Sequence, residues 1–513
     1  MRVAIVCLLL LIISCQQQEK ITRWPYGVNY EVFVRSYADS NSDGIGDFNG
    51  LTDKLDYLQK LGVGGIWLMP IMPSPTYHKY DVVDYKAVDP EYGTQADFKK
   101  LVAEAHKRDI KILVDLILNH TGSDHPWFQS AIADKNSPYR DYYVWAKKDS
   151  IRAQLSKKTT SLDSDNLTQW HPVKGDTVAD HYYGFFWGGM PDLNFDNPKV
   201  KAEFVDIGKY WLNEMNVDGF RLDAAKHIFP TERAADNHTF WVWFREEMQK
   251  IKPDVYLVGE VWSKAPEVAP YLKGLPALFN FDMGYTITSV VQAGQDTIGL
   301  IGKYKEINDF YTSTTKDYID ATFLKNHDQN RIISELDNDV NKAKIAAGIL
   351  FTLPGTPYIY YGEEIGMGGM KPDEYIREPF IWDDSEKDKF RTTWEVPKYS
   401  TDATVQSLAK QKEDPTSLYN FYKSFISYRN SSQVLTYGGI ETSPMRIREL
   451  VSLIRAYEGE RRLIIHNVSD VEITAKLESE LNDFTTIDYK TNEGVKLEGN
   501  TLVIPAYTSV ILK

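Results

Sequence analysis

The sequence predicts an α/β chain built on a (β/α)8 TIM barrel, with a subdomain inserted after the third strand and an antiparallel β domain at the C-terminal end. Three observations carry this reading. Eight short apolar runs alternate with helical spacing, charged groups collect at the ends of those runs, and beyond Arg429 the chain changes to β-branched runs with polar turns.

The runs are Val28–Val34, Val63–Pro70, Ile110–Leu118, Asp218–Asp223, Val255–Glu260, Ala277–Asp282, Ala321–Asp328 and Tyr358–Glu364. Between them Leu51, Leu55, Leu58 and Leu61 fall on one helical face, and helical spacing returns in 97–108, 199–213 and 239–250. The interval from Leu118 to Asp218 is longer than a helix and two loops need. It predicts an inserted subdomain over 121–196, placed on the catalytic face because it follows a strand. The barrel then spans 24–120 and 197–430, and a β-sandwich domain spans 431–513 with runs such as Leu463–Asn467 and Thr501–Ile504.

At the N-terminus, Val3–Ile13 is an apolar run too short to cross a bilayer and suited to the core of a signal peptide. Ile12-Ile13-Ser14-Cys15 resembles a lipobox, so residues 1–14 are expected to be removed, Cys15 to carry lipid, and 15–23 to form a tether. Cys7 leaves with the leader, and a mature chain with one cysteine has no internal disulfide. The net charge of −14 argues against a nucleic-acid partner, and 12 Trp with 32 Tyr favour a neutral ligand with flat apolar faces, such as sugar rings.

Asp39-Ser40-Asn41-Ser42-Asp43-Gly44-Ile45-Gly46-Asp47 spaces oxygen donors as a loop around a hard cation does, with the carbonyl of Ile45 as a further ligand. The Glu of an EF-hand is absent, since Gly50 holds the twelfth place. Ca²⁺ is the expected ion, on Asp39, Asn41, Asp43, Ile45 and Asp47.

Polar groups gather at strand ends: His78 and Tyr80 after the second, Asp115, Asn119 and His120 at the third, Arg221, Asp223, Lys226 and His227 at the fourth. Glu260 ends the fifth, and His327 and Asp328 the seventh. Arg221 and Asp223 leave an extended backbone on the same face, so a guanidinium can hold that carboxylate ionised. Three acids converging in one bowl form the apparatus of double displacement at a glycosidic carbon: Asp223 as nucleophile, Glu260 as acid and base, and Asp328 stabilising the oxocarbenium-like charge. A covalent route places the first two about 5–5.5 Å apart.

Four motifs in order, Asp115-Leu116-Ile117-Leu118-Asn119-His120, Gly219–His227, Gly259-Glu260-Val261-Trp262 and Phe323-Leu324-Lys325-Asn326-His327-Asp328, resemble those of α-amylase-type glycoside hydrolases. The resemblance implies retaining endo-hydrolysis of α-1,4-glucans, with Tyr80 stacked on the sugar and His120, Arg221 and His327 around its hydroxyls; His78, after the second strand, is a further candidate for substrate binding. Lys226 and His227 fall on the leaving-group side, and Trp187 supplies an aromatic face from the insertion. Met190-Pro191-Asp192-Leu193-Asn194 is similar to the branch between oligo-1,6-glucosidases and neopullulanases. Within the same class stand α-1,6-acting, exo-acting and transglycosylating enzymes, and outside it a non-catalytic glycan-binding protein. Asn119 corresponds to a calcium ligand in many amylases, and Lys79 stands where a glycine is usual, at the rim of the outer sugar sites. With its lipid anchor the chain resembles Bacteroidetes surface starch-utilisation amylases. That implies an exported protein held at the outer membrane by lipid alone, beside glycan-binding and transport partners.

Overall fold

The computed structural model describes residues 23–155, 169–173 and 180–513. The leader and Cys15 lie outside the described residues. Eight parallel strands, 28–32, 63–68, 111–116, 219–222, 256–259, 277–279, 319–323 and 356–360, close into a barrel in chain order. Each falls in or beside an expected run and ends earlier, because the residues that follow turn outward into loops. Val34, expected to continue the first strand, instead opens a short helix, Val34–Tyr37. Gly219 is required where the fourth strand starts: a Cβ there would lie 1.9 Å from the carbonyl oxygen of Tyr256 on the fifth. Any side chain would hold those two strands apart.

The insertion follows the third strand. Its described part has a helix, Pro126–Ala133, and a three-stranded sheet of Trp145–Lys147, Asp180–Tyr183 and Trp170–Pro172. Backbone bonds from Leu193 N–H to Asn119 O (2.9 Å) and from Thr121 N–H to Pro191 O (3.2 Å) tie its two ends together just beyond the third strand. The subdomain therefore overhangs the carboxyl ends of the strands.

After the barrel, antiparallel pairing begins at Gly439 and forms a five-stranded and a three-stranded sheet. Alternation decides the packing of the larger sheet. Leu463, Ile465, Val510 and Leu512 join Leu502 and Ile504 of the smaller sheet in one apolar cluster, while Ile464 and Ile511 face the barrel core. Among the described residues no helix is long and apolar enough to cross a membrane.

His466 lies at the junction of the two domains, fully buried between Thr352 Oγ1 (3.0 Å) and Ser509 Oγ (2.8 Å). Burial lowers its pKa from 6.5 to about 3. Between those values the unfolded chain binds the extra proton, so this contribution to stability is complete above the unfolded pKa and is lost as pH falls, by about 1.4 kcal/mol per pH unit. His466→Gln retains hydrogen bonding without titrating. Urea unfolding of this variant from neutral pH down to about pH 4 is expected to depend less on pH than that of the wild type.

Candidate active site

The fourth and fifth strands deliver the first two acids. Arg221 and Asp223 alternate to the same side, and the NH1 nitrogen of Arg221 donates to Asp223 Oδ1 at 2.6 Å and to both oxygens of Asp115 at 3.0 Å. The NH2 nitrogen of the same guanidinium lies 3.1 Å from Glu260 Oε2. One cation thus brackets three carboxylates, and the side chains of Asp223 and Glu260 meet on adjacent nitrogens of one planar group. Ala224 adopts a left-handed φ of +46°, which aims its N–H at Glu260 Oε2 (3.1 Å). That strained turn ties the end of the fourth strand to the acid on the fifth.

Burial, with Asp223 and Asp328 nearby, raises the pKa of Glu260 against the pull of Arg221, so its protonated form persists above the usual carboxylate range. Burial likewise lifts Asp115 to about 7. Asp328 behaves oppositely. Burial opposes its charge, but His327 Nε2 lies 3.0 Å from Oδ2 and the NH2 nitrogen of Arg377 donates to Oδ1 at 3.1 Å, and together they hold the carboxylate well below its ordinary range. Two acids of one type are driven in opposite directions, the pattern of a site that needs a proton donor beside a permanent anion.

All three acids open onto one cavity of about 800 Å³, with side chains 10%, 13% and 29% exposed for Asp223, Glu260 and Asp328. His78, Tyr80, His120, Trp187, Lys226 and His227 also line it. Arg221 and His327, expected at sugar hydroxyls, are fully buried and lie beneath its floor, where they hold carboxylates and Tyr80 in place. Trp187 is 48% exposed, and Phe185 stacks on His227 with ring centroids 4.0 Å apart, so the insertion supplies an aromatic wall. Lys226 Nζ donates to the carbonyl of Trp262 (3.1 Å), whose ring stacks on Phe281.

Several lining residues escaped the sequence reading. Tyr285, Lys371, Asp373 and Arg377 face the cavity. The last three come from the long segment after the eighth strand, where Asp373 accepts from Arg377 (3.1 Å) and pairs with Lys371 (2.9 Å). The only signal was an acid and an Arg four residues apart. Trp382, after the eighth strand, is buried, and its indole N–H bonds to the carbonyl of Tyr37 (2.6 Å). Lys79 is no rim residue. At φ +65° its side chain is 3% exposed and its Nζ pairs with Asp89 (2.8 Å) and Glu91 (2.6 Å), away from the cleft. Asn119, which the resemblance compares with a calcium ligand, donates to Asp192 Oδ2 (3.4 Å) and to the carbonyl of His227 (2.6 Å).

The Asp39–Asp47 loop folds around its own carboxylates. Asp39 accepts from the N–H groups of Asn41 (3.0 Å), Ser42 (2.6 Å) and Gly44 (2.7 Å), and Asp43 from Ile45 (2.8 Å). Asp47 accepts from Gly50 N–H (2.8 Å) and caps the helix Phe48–Asp53. Gly44, at φ +91°, makes the turn. Among the described residues no three His, Cys, Asp or Glu side chains already converge as a metal cage. The all-oxygen donor set nonetheless fits a hard cation in type.

Residues 31–438 match the catalytic domain of α-amylases, and residues 450–511 the C-terminal domain of the α-amylase SusG. Over 484 residues the chain is 44% identical to α-amylase 3 of Dictyoglomus thermophilum, across 94% of this chain and 92% of that one. It is 31% identical to the α-amylase SusG of Bacteroides thetaiotaomicron (95% and 91% covered) and 35% identical to a 4-α-glucanotransferase of Thermotoga maritima (87% and 96%). The crystal structure of an α-amylase from H. orenii superposes with a TM-score of 0.86 at 44% identity, over 95% of this chain and 99% of that one. With this barrel, this trio of acids and these matches, the chain belongs to the α-amylase family of glycoside hydrolases and ends in a domain of the SusG type.

Proposed function

We propose that the protein hydrolyses α-1,4-glucosidic bonds of starch and maltooligosaccharides internally and with retention. The observation that carries the reading is the shared guanidinium, which brings Asp223 and Glu260 to one point of an open cavity. Asp223 attacks the anomeric carbon while Glu260 protonates the leaving oxygen. Glu260, now ionised, then takes a proton from water as that water opens the glycosyl ester. Asp328, held anionic by two cations, faces the positive charge on the ring. Released reducing ends on starch, α-configured at early times and spread over several chain lengths, are the expected result. No release, or β-configured products, overturns the reading. The glucanotransferase relative makes transfer the alternative to be tested, and products from maltoheptaose, pullulan and isomaltose separate hydrolysis of α-1,4 bonds from transfer, exo action and α-1,6 cleavage.

We further propose that Ca²⁺ is held by Asp39, Asn41, Asp43, the carbonyl of Ile45 and Asp47, where it supplies a structural cross-link beside the first barrel strand. A chelator is expected to lower the melting temperature, and Asp43→Ala to erase the difference; saturation at a hundredfold excess over Kd stabilises by about 2.7 kcal/mol. A melting temperature indifferent to calcium removes the site. Export and lipid attachment at Cys15, with anchoring at the outer membrane beside glycan-binding and transport partners, complete the proposal.

A further inference from the structure

An acid beneath the site was announced by no motif. Glu31 lies on the first barrel strand between Trp67 and Tyr360 of its neighbours, and its side chain is 2% exposed. Its Oε1 is 2.5 Å from Nδ1 of His327. The other ring nitrogen, Nε2, is 3.0 Å from Asp328 Oδ2 and 2.6 Å from the hydroxyl of Tyr80. His327 therefore has a carboxylate on each side. A neutral imidazole has one N–H and one lone pair, so whichever nitrogen lost its proton would turn a lone pair on an anion. Only the imidazolium donates in both directions.

We propose that Glu31 is a positioning residue of the active site: by accepting from Nδ1 it keeps His327 a doubly donating imidazolium, and through that ring it orients Asp328 and holds it anionic. The inference rests on the reading of Asp328 as the transition-state stabiliser. Other groups face the ring from several elements. Arg377 donates from Nε to the carbonyl of His327 (3.0 Å), Tyr80 stacks on the imidazole, and Trp67 meets it edge-on at 5.5 Å. Asp115 and Arg221 lie across Tyr80, and Glu363 is an electrostatic neighbour of Glu31. Burial and the two arginines oppose a charge on this ring, so the carboxylates in contact with it are what keep the proton. Without Glu31, Asp328 is the one carboxylate still in contact with the ring. The balance in the intact site agrees: burial lowers the affinity of His327 for its proton, yet Asp328 and Glu31 raise its pKa to about 10.

Glu31→Gln is isosteric and keeps an acceptor while removing the charge. In the full chain with ring-labelled histidine, the resonance missing in His327→Asn identifies the ring among 10 histidines. In the wild type this ring is expected to stay protonated through neutral pH. In Glu31→Gln it is expected to titrate at least one pH unit lower, with kcat down about tenfold or more and KM little changed. Glu31→Asp keeps the charge and is expected to restore much of the ring's proton affinity. A Glu31→Gln ring that titrates as in the wild type overturns the proposal, as does one held no better by Asp than by Gln. Should the variants not fold, a wild-type ring already neutral at about pH 8 does the same. The titration needs no substrate, so a protein inactive on starch with a Glu31-dependent ring defeats the functional reading alone.

Discussion

Asp223→Asn is expected to lower kcat on starch by ~10⁴-fold or more while leaving the fold intact. Asn keeps the shape of the side chain and still accepts from the NH1 nitrogen of Arg221, now 2.6 Å from Asp223 Oδ1. It has no anionic oxygen to form the glycosyl ester. Stability is expected to hold or to rise, because three carboxylates surround one guanidinium and the substitution removes one mutually repelling charge. Initial rates and thermal melts check both halves, and a variant retaining more than about one per cent of turnover sinks the nucleophile assignment. Glu260→Gln differs in kind. Its loss is largest for leaving groups that need a proton, and the alkaline limb of kcat/KM disappears, since in the wild type the rate falls as pH rises through the raised pKa of Glu260.

Arg221→Met is expected to cost about 3–5 kcal/mol of stability and nearly all activity, since removing one partner of a buried ion pair strands the other. Here three acids are stranded, and Asp115, with a side chain fully buried, has no route to solvent. The pH dependence separates this cause from lost packing. The pKa of Asp115 is raised from 3.8 to about 7 even with the arginine present, and rises further without it. A buried acid with a raised pKa binds more protons folded than unfolded, so its contribution to stability is lost as pH rises and returns as pH falls. The variant is therefore expected to unfold at higher urea concentration at about pH 5 than at pH 8. A deficit equal at both values assigns the loss to packing. Arg221→Lys is expected to rescue little, because a point charge does not span Asp115, Asp223 and Glu260 at once.

The barrel was legible because its strands are buried on both faces and read as apolar runs, and because loops after them carry the polar residues. The C-terminal domain was half legible. Leu463–Asn467 and Thr501–Ile504 were recognised, but Leu450–Tyr457 was not, as Arg455 interrupts its apolar pattern; that arginine is buried and donates to the carbonyls of Thr352, Leu435, Gly438 and Gly439. Lys79 misled because a long charged side chain suggested exposure at the rim, and packing consumed it in ion pairs elsewhere.

Local pattern by itself determined the eight units, the insertion and the three acids, since periodicity and short motifs depend on neighbours along the chain. Which groups stand beneath those acids was decided only in three dimensions. Glu31 and His327 are separated by 296 positions, and Arg377 follows Asp328 by 49, yet Glu31 and Arg377 flank the His327–Asp328 pair. Barrel closure sets the first strand beside the eighth, and the loop after the eighth folds back over the seventh. Charges that meet only through closure leave no spacing to be read, and they set which acid keeps its proton.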